Sequence, residues 1–269
     1  DLVDPKTRIN TKGPIRVGGH KINDYRNNGP ELPVWQVITK SSNLGTARIA
    51  KMIGSEKQRE FLSSLGFAKP TLIEMIEAKG GKPLLPKRWN ELETMTISYG
   101  HGISVTPLHL ATGYAMLANG GRLVKPTLLE EVKSDLGPRV ISKEVADNSL
   151  AMLRGVVTGG TASIADVSGY FVGGKTGTAD KPSAQGGYDK EKNITSFASI
   201  FPINDPKYVL VVTLDEPQDT SGPEPKRTAG WTAVPVSAEI IARVAPLLGL
   251  RPKFDNQSTV GVTLSNWQE

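Results

Sequence analysis

The sequence contains no cysteine among its 269 residues, which excludes thiolate catalysis, disulfide bonds and cysteine-based zinc sites. Histidine is scarce, with only His20, His101 and His109 in the chain. None of them stands in a His-x-x-x-His spacing, and no Gly-x-Ser-x-Gly motif occurs. The sequence therefore indicates neither a histidine metal site nor a Ser-His-Asp triad, and any hydrolase or transferase chemistry needs other residues.

Long hydrophobic runs are also missing, since no apolar stretch approaches the roughly 18 residues of a membrane-spanning helix. Hydrophobic residues at 38% and charged residues at 22% are typical of a globular protein, and the length allows a sizeable core. The chain begins at Asp1 without a signal-peptide pattern. We therefore expect it to be part of a longer protein, with any export signal or membrane anchor upstream.

The net charge is +5, but the basic residues are dispersed along the chain. Their densest clusters, at 79–82 and 86–89, are short, and apart from Trp89 at the end of the second they contain no aromatic residue that could stack on bases. We therefore interpret them as solvated surface and expect no nucleic-acid partner. Mild basicity also suits an anionic substrate or polymer.

Helical patterns dominate the first 160 residues. Residues 15–22 predict a hairpin, and two helical patterns meet at 40–45, where Ser-Ser-Asn favours a turn between helices. Polar residues at such an interruption are either functional or a plain helix N-cap. Further predictions are a capping box at Ser55 with a helix to Leu65, irregular chain over 67–90, a glycine turn over 99–102, helices from Thr106 and Ser142, and a strand over 123–132.

The chain after residue 160 has mainly β-type patterns. Residues 170–178 predict a strand and 179–193 a polar loop, and two further strands over 194–201 and 208–214 complete an antiparallel meander. An apolar helix over 231–248 and a loosely ordered tail beyond Arg251 follow. The predicted fold class is mixed α/β (α+β), with an antiparallel sheet flanked by helices.

One stretch, Gly173–Thr178, combines a cation, two hydroxyls and three glycines, which suits an extended backbone lying against an anionic ligand. Two motifs match it. Gly169-x4-Gly174-Lys175-Thr176 is a P-loop pattern, and Lys175-Thr176-Gly177 is the third motif of penicillin-recognising serine transferases. A P-loop needs a helix directly after its Lys-Thr pair. Because glycine and proline follow here, the P-loop interpretation is disfavoured.

Three motifs occur in order and at wide spacing: Ser41-Ser42-Asn43, Tyr99–Gly102 leading into Thr106-Pro107, and Lys175–Thr178. Together they resemble the transpeptidase domain of class B penicillin-binding proteins, most of all the division-specific septal peptidoglycan synthases of Gram-negative bacteria. The resemblance covers roughly residues 8–250. It implies a serine β-lactamase-like fold, with a partial transpeptidase domain over residues 1–250 and a C-terminal tail over 251–269.

The resemblance implies a serine D,D-transpeptidase that cross-links peptidoglycan stem peptides ending in D-Ala-D-Ala through an acyl-enzyme, and that β-lactam antibiotics acylate. A D,D-carboxypeptidase, a serine β-lactamase and a non-catalytic β-lactam-binding sensor or scaffold remain as alternatives. It also implies cell-division proteins as partners and no metal or organic cofactor. The implied location is the periplasmic face of the bacterial inner membrane, with an anchor outside this chain.

One family motif, the Ser-x-x-Lys that carries the nucleophile, is missing, because no lysine here has a serine three residues before it. Thr178-x-x-Lys181 is the nearest imitation, in the wrong place. Only 40 residues precede Ser41, which we expect to be too few to reach the family position. We therefore expect the nucleophile and its lysine to lie outside this chain, which would be inactive alone. A homologue that has lost its nucleophile is the alternative.

The resemblance also implies roles in proton transfer. Ser41 would relay a proton to and from the leaving and attacking nitrogens. A hydroxyl can do so only if nearby cations lower its proton affinity, and Lys175 and the missing lysine are the candidates. Asn43 would donate to the substrate's amide carbonyl and help to orient the missing lysine. We expect His101 to pack rather than to catalyse.

The remaining implied roles concern substrate binding. Thr176 and Thr178 would bind the terminal carboxylate through their hydroxyls, with Lys175 adding charge complementarity. The Thr178 N–H would form half of an oxyanion hole, Gly177 would keep the strand open to substrate, and Tyr99 would shape the cleft. Taken without the other motifs, Lys175 and the threonines would be interpreted as polar protection of an exposed edge strand against aggregation.

Overall fold

The computed structural model describes residues 2–71, 73–130, 136–183, 185–254 and 264–268, and the chain divides into two compact units. One unit contains Asp1–Asn148 and Leu264–Glu269, and the other contains Ser149–Thr263. The predicted mixed α/β class is confirmed, since helices and antiparallel sheets occur in the same chain. Among the described residues, no helix has the length and apolar character needed to cross a membrane.

The first unit combines short strands with helices. β1 (Arg8–Asn10) pairs antiparallel with β4 (Glu31–Pro33), and β2 (Ile15–Val17) pairs antiparallel with β3 (His20–Ile22) as the predicted hairpin. The helices are α1 (Val34–Thr39), α2 (Asn43–Ile53), α3 (Ser55–Ser64), α4 (Glu91–Ile97) and α5 (Pro107–Ala118).

The hairpin, α2 and α4 share an apolar core in this unit. Its buried members are Ile22 of β3, Leu44 and Ala47 of α2, and Met95 of α4, with Ile15, Val17 and Tyr99 packed against them. Burying a side chain of Leu, Ile or Met size contributes about 1.5–3 kcal/mol. The cluster therefore holds the end of β3 against the start of α2.

The second unit is built on one antiparallel sheet in the order β5-β6-β7. β5 (Gly173–Pro182) lies at an edge, β6 (Tyr188–Phe201) is central, and β7 (Tyr208–Asp215) completes the sheet, so the predicted meander is confirmed. The boundary between the units falls inside α6 (Lys143–Gly159), and α7 (Ala233–Leu247) packs on β6 and β7. The short α8 (Ser265–Gln268) belongs to the first unit.

The start of the predicted strand 170–178 is wrong, because β5 begins at Gly173. Tyr170 and Val172 are buried, but Phe171 between them has a left-handed φ of 43°, which an extended strand does not allow. A short apolar run shows that a segment is buried and does not distinguish a strand from a buried turn.

The predicted polar loop over 179–193 is also wrong, since β5 and β6 continue through most of it as a hairpin with a register shift at Asp180/Lys181. Ion pairs also link this extension of β5 to the end of β7. The Lys181 ammonium lies 2.8 Å from a carboxylate oxygen of Asp215 and 2.8 Å from one of Glu216. A polar sequence is therefore compatible with paired strands and does not by itself predict a loop.

Other local predictions fail for similar reasons. No strand occurs over 123–130, where the Glu74 carboxylate accepts hydrogen bonds from the Thr127 hydroxyl and the Leu128 N–H; residues 131–132 lie outside the described residues. Ser55 is not an N-cap, because Gly54 holds that position without a side-chain hydrogen bond. The sequence patterns missed α4 entirely, although Asn90 and Glu93 form a capping box at its start.

The predicted tail is only partly described. Residues 251–254 have no regular structure, α8 forms near the end of the chain, and residues 255–263 and 269 lie outside the described residues.

Candidate active site

The Ser-Ser-Asn motif lies in the first unit at the turn that joins α1 to α2, as predicted. Helix α1 ends in a Schellman motif, in which the Ser41 N–H donates to the Ile38 carbonyl at 3.2 Å and the Ser42 N–H donates to the Val37 carbonyl at 2.9 Å. The motif requires a left-handed residue, usually glycine, and here Ser41 adopts it with a φ of 56°. A serine in this conformation is strained by about 1–3 kcal/mol.

The next two residues start α2. Ser42 is 1% exposed and is the N-cap, since its hydroxyl accepts a hydrogen bond from the Gly45 N–H at 3.0 Å. Asn43 is the first helical residue and is half-buried. Its side-chain amide donates to the Asn23 carbonyl at 3.2 Å. The structural interpretation of the motif as a helix N-cap therefore applies to Ser42 and not to Ser41 or Asn43.

Tyr99 lies in the predicted glycine turn of the same unit. Gly100 and Gly102 have left-handed φ values of 90° and 79°, which glycine adopts without steric cost. Tyr99 packs against the apolar cluster that contains Leu44, the residue that follows Asn43. The fold therefore brings Tyr99 and the start of α2 to the same apolar cluster.

His109 has a structural role in this unit. It is 2% exposed and forms a capping box with Thr106 at the start of α5, which confirms the predicted helix start.

Among the described residues, no group of three or more histidine, aspartate or glutamate side chains is placed to hold a metal ion.

The Lys-Thr-Gly motif lies in the second unit on β5. Within the described strands, β5 pairs only with β6, so its other edge carries no strand. Side chains alternate along a strand, so Lys175 and Gly177 share one face, and Thr176 and Thr178 share the other. A Cβ added to Gly177 would meet no described atom within 4 Å. The backbone at this position is therefore open to an approaching ligand.

Burial lowers the pKa of the Lys175 ammonium from 10.5 to about 8. The residue as a whole keeps part of its surface, whereas its charged end is desolvated, and Nζ donates to the Thr176 carbonyl at 3.1 Å. Desolvation disfavours the charged form of a lysine. A lysine that only protected a solvated strand edge would keep its ordinary pKa, so this environment argues against the protective interpretation.

Each threonine hydroxyl of the motif meets a second segment of the same unit. The Thr176 hydroxyl oxygen lies 2.7 Å from that of Thr161 in the turn after α6, and the Thr178 hydroxyl accepts a hydrogen bond from the Ala229 N–H at 3.0 Å. Sequence patterns missed Thr161 and Ala229, because nothing in the local chain links them to β5.

The P-loop interpretation is wrong, as the sequence indicated. Gly173–Pro182 is a continuous strand through the Lys-Thr pair, whereas a P-loop places a helix N-terminus there.

A family model described as the penicillin-binding protein transpeptidase domain matches residues 1–241. Over 258 residues, the chain is 33% identical to the probable peptidoglycan D,D-transpeptidase FtsI of Caulobacter vibrioides. That match covers 92% of this chain and 43% of the relative. The chain therefore spans less than half the length of this curated relative.

Solved structures of penicillin-binding protein 3 have the same fold. The apo transpeptidase domain from Burkholderia pseudomallei superposes with a TM-score of 0.83 at 34% identity, covering 94% of this chain and 76% of that one. The protein from Mycobacterium tuberculosis, complexed with aztreonam, has a TM-score of 0.77 at 26% identity, covering 94% and 60%. With the family model matching most of its length, this chain belongs to the family of penicillin-binding protein transpeptidase domains.

Proposed function

We propose that this chain supplies the substrate-binding and proton-relay residues of a serine D,D-transpeptidase that cross-links peptidoglycan stem peptides and is acylated by β-lactams. The observation that carries the proposal is the edge strand β5, where a desolvated lysine and two threonine hydroxyls flank an open Gly177. An extended peptide can add to such an edge through backbone hydrogen bonds.

The threonine hydroxyls and the lysine suit a terminal carboxylate. The bond from the Ala229 N–H uses a lone pair of the Thr178 hydroxyl and leaves its hydrogen for donation to an anion. Thr176 can donate in the same way when Thr161 supplies the hydrogen of their shared bond. Hydrogen bonds to a carboxylate are about twice as strong as those between neutral groups. Lys175 adds the positive charge that a D-Ala carboxylate or the carboxylate of a β-lactam requires.

Ser41 and Asn43 suit the proton-transfer step. Strained backbone at Ser41 is held in place by the Schellman hydrogen bonds, and strain of this kind concentrates at active sites, where it fixes the direction of a side chain. Asn43 is anchored through its side-chain nitrogen to Asn23. We assign Ser41 to the proton relay and Asn43 to the substrate amide.

The chemistry balances as two acyl transfers. A serine hydroxyl attacks the carbonyl of the penultimate D-alanine, the bond to the terminal D-alanine breaks, and the serine proton passes through Ser41 to the leaving nitrogen. The amine of a second stem peptide then attacks the ester carbonyl, the ester C–O bond breaks, and the proton of the amine returns through Ser41 to the serine oxygen. Because no Ser-x-x-Lys motif occurs in the chain, we propose that the attacking serine lies outside these residues.

We further propose, from the family resemblance, that the protein acts at the periplasmic face of the inner membrane with cell-division proteins as partners. Its domain would extend over residues 1–250, with a tail after it.

Labelling with a fluorescent penicillin tests the proposal. A protein that carries this chain together with its Ser-x-x-Lys segment should be covalently labelled, whereas the 269-residue chain alone should not be. A labelled serine within residues 1–269 would contradict the external nucleophile. Absence of labelling in the longer protein would indicate the binding sensor or scaffold.

Transfer to an added D-amino acid then distinguishes the enzymes. Exchange of the terminal D-alanine of a stem peptide for the D-amino acid supports a transpeptidase. Hydrolysis without exchange would favour a D,D-carboxypeptidase, and rapid deacylation of the bound penicillin would favour a β-lactamase.

A further inference from the structure

The Asp24 carboxylate accepts hydrogen bonds from the residues directly before and after Asn43. One oxygen accepts a hydrogen bond from the Ser42 hydroxyl at 2.7 Å, and the other accepts one from the Leu44 N–H at 2.9 Å. The side-chain amide of Asn28 adds a third bond at 3.1 Å. Hydrogen bonds to an ionised acceptor are the stronger class, so a single carboxylate clamps the first turn of α2.

The residue before Asp24 binds the motif as well. The Asn23 carbonyl accepts the hydrogen bond from the Asn43 side chain at 3.2 Å. Both residues directly follow β3, whose last residue, Ile22, is buried in the apolar cluster with Leu44. The hairpin therefore brings the 23–24 segment to the start of α2, and polar bonds then fix the direction of Asn43.

The clamp also bears on the strained residue. Ser41 keeps its left-handed conformation only while the backbone on both sides is held. On the α1 side, the Ser41 N–H is bonded to the Ile38 carbonyl. On the α2 side, Ser42 is held by Asp24 through its hydroxyl. Loss of the carboxylate would weaken the hold on this side of the turn, leaving Ser42 with its backbone bond to Val37 and its cap bond from Gly45.

The charge of Asp24 is favourable in this position. A negative charge near a helix N-terminus interacts well with the helix dipole. Arg48 on α2 interacts electrostatically with Asp24, and its guanidinium donates to the Asn10 carbonyl at 2.7 Å. The carboxylate is half-buried and has both a helix terminus and a cation to compensate it.

We propose that Asp24 is a positioning residue for the reaction: it holds Ser41 and Asn43 in the geometry that proton transfer requires. This inference rests on the proposed function. It assigns to the N-terminal hairpin a role in catalysis that the motifs themselves do not reveal.

The test uses a protein that carries this chain with its Ser-x-x-Lys segment, in wild-type form and as Asp24→Asn and Asp24→Ala. Asp24→Asn is isosteric and keeps one acceptor, whereas Asp24→Ala removes both. Asp4→Asn is the matched control, because Asp4 also accepts two backbone N–H groups in a turn of the same unit, from Lys6 and Thr7. Penicillin acylation is resolved into a dissociation constant for the initial complex and a rate constant for acylation.

A positioning role predicts that Asp24→Asn lowers the acylation rate constant about tenfold and Asp24→Ala lowers it further. The dissociation constant should stay within about twofold, because carboxylate binding depends on β5. Tenfold corresponds to about 1.4 kcal/mol of barrier. Asp4→Asn should leave both constants unchanged.

Each other outcome counts against the inference. If both variants lose the wild-type circular dichroism spectrum, or if only the melting temperature falls, Asp24 is a structural residue. If the rate constant and the dissociation constant change together, the effect is not one of positioning. A wild-type protein that is not acylated at all contradicts the proposed function, whereas an acylated wild type with equally fast variants contradicts only the role of Asp24.

Discussion

The hydroxyl oxygens of Thr161 and Thr176 lie 2.7 Å apart, so the turn after α6 contacts the Lys-Thr-Gly strand directly. If Thr161 donates to Thr176, the Thr176 hydrogen is free to point at a ligand carboxylate. Thr161→Val removes this donor at nearly constant volume. We expect acylation by penicillin to slow about 3- to 10-fold, because one such hydrogen bond contributes roughly 0.5–1.5 kcal/mol.

Thr161→Ser is the control for this prediction, because it restores the hydroxyl. Time courses of penicillin acylation, measured on the protein that includes the Ser-x-x-Lys segment, give the rates. A thermal melt checks that each variant is folded. Equal rates for the valine and serine variants would show that Thr161 does not orient Thr176.

Lys175 should impose a pH dependence on carboxylate binding. Its folded pKa is about 8 because of burial, below the ordinary 10.5, so the ammonium that attracts a carboxylate is lost as the pH rises through about 8. We expect acylation efficiency to fall by up to tenfold per pH unit above that value. In Lys175→Arg the charge persists, so this fall should be absent in a series measured from pH 6 to 10.

Lys181→Gln serves as the control for the pH series. The hydrogen bonds to Asp215 and Glu216 raise the pKa of Lys181 above its ordinary 10.5, so Lys181 does not titrate near pH 8. If acylation by Lys175→Arg falls above pH 8 as it does in the wild type, a group other than Lys175 causes the pH dependence.

The desolvation of the Lys175 ammonium should also make the free energy of unfolding depend on pH. The unfolded state binds the Lys175 proton more tightly than the folded state, so the free energy of unfolding should increase as the pH rises from about 8 to 10.5. Lys175→Met should therefore stabilise the fold at pH 7 by on the order of 1–3 kcal/mol. Urea unfolding at pH 7 and pH 10.5 should show this gain at the lower pH and little of it at the higher.

The strained backbone of Ser41 should lower the stability of the fold, whereas its hydroxyl should be needed for acylation. Glycine accepts the left-handed φ of 56° without strain, so Ser41→Gly should raise the free energy of unfolding by about 1 kcal/mol. Ser41→Ala keeps the strain and should not. Both variants lack the hydroxyl and should acylate much more slowly. A Ser41→Gly variant no more stable than Ser41→Ala would show that the turn is not strained.

Two glycines of the same strand should behave in opposite ways. A Cβ at Gly177 meets no described atom within 4 Å, whereas a Cβ at Gly174 would lie 2.5 Å from the Ala198 carbonyl oxygen and 2.7 Å from the Phe197 ring. Gly177→Ala should therefore fold with a stability change within about 0.5 kcal/mol but lose at least tenfold in acylation. Gly174→Ala should cost about 1–3 kcal/mol by overpacking.

Chemical denaturation and penicillin acylation separate these effects. Normal acylation by Gly177→Ala would mean that ligand does not approach the strand at this position.

Much of the fold could be predicted because its signals are local. The start of α5 is set by Thr106, whose hydroxyl reaches the N–H three residues later, and by Pro107, whose ring suits the first helical position. The meander is set by two runs of β-type residues, 194–201 and 208–214, on either side of a short turn. The start of β5 cannot be predicted in this way, because the left-handed Phe171 lies inside an apolar run that has no local sign of a turn.

The sequence by itself determined the order of the motifs, the hairpin over 15–22, the antiparallel meander and the start of α5. The hairpin, the meander and the helix start each depend on residues a few positions apart. Only the tertiary structure decided what surrounds the motifs. Asp24 reaches Ser42 across 18 positions and Thr161 reaches Thr176 across 15, and no spacing in the chain encodes such contacts. The lowered pKa of Lys175 likewise has its cause in burial, which depends on the packing of the whole neighbourhood and not on the neighbouring letters.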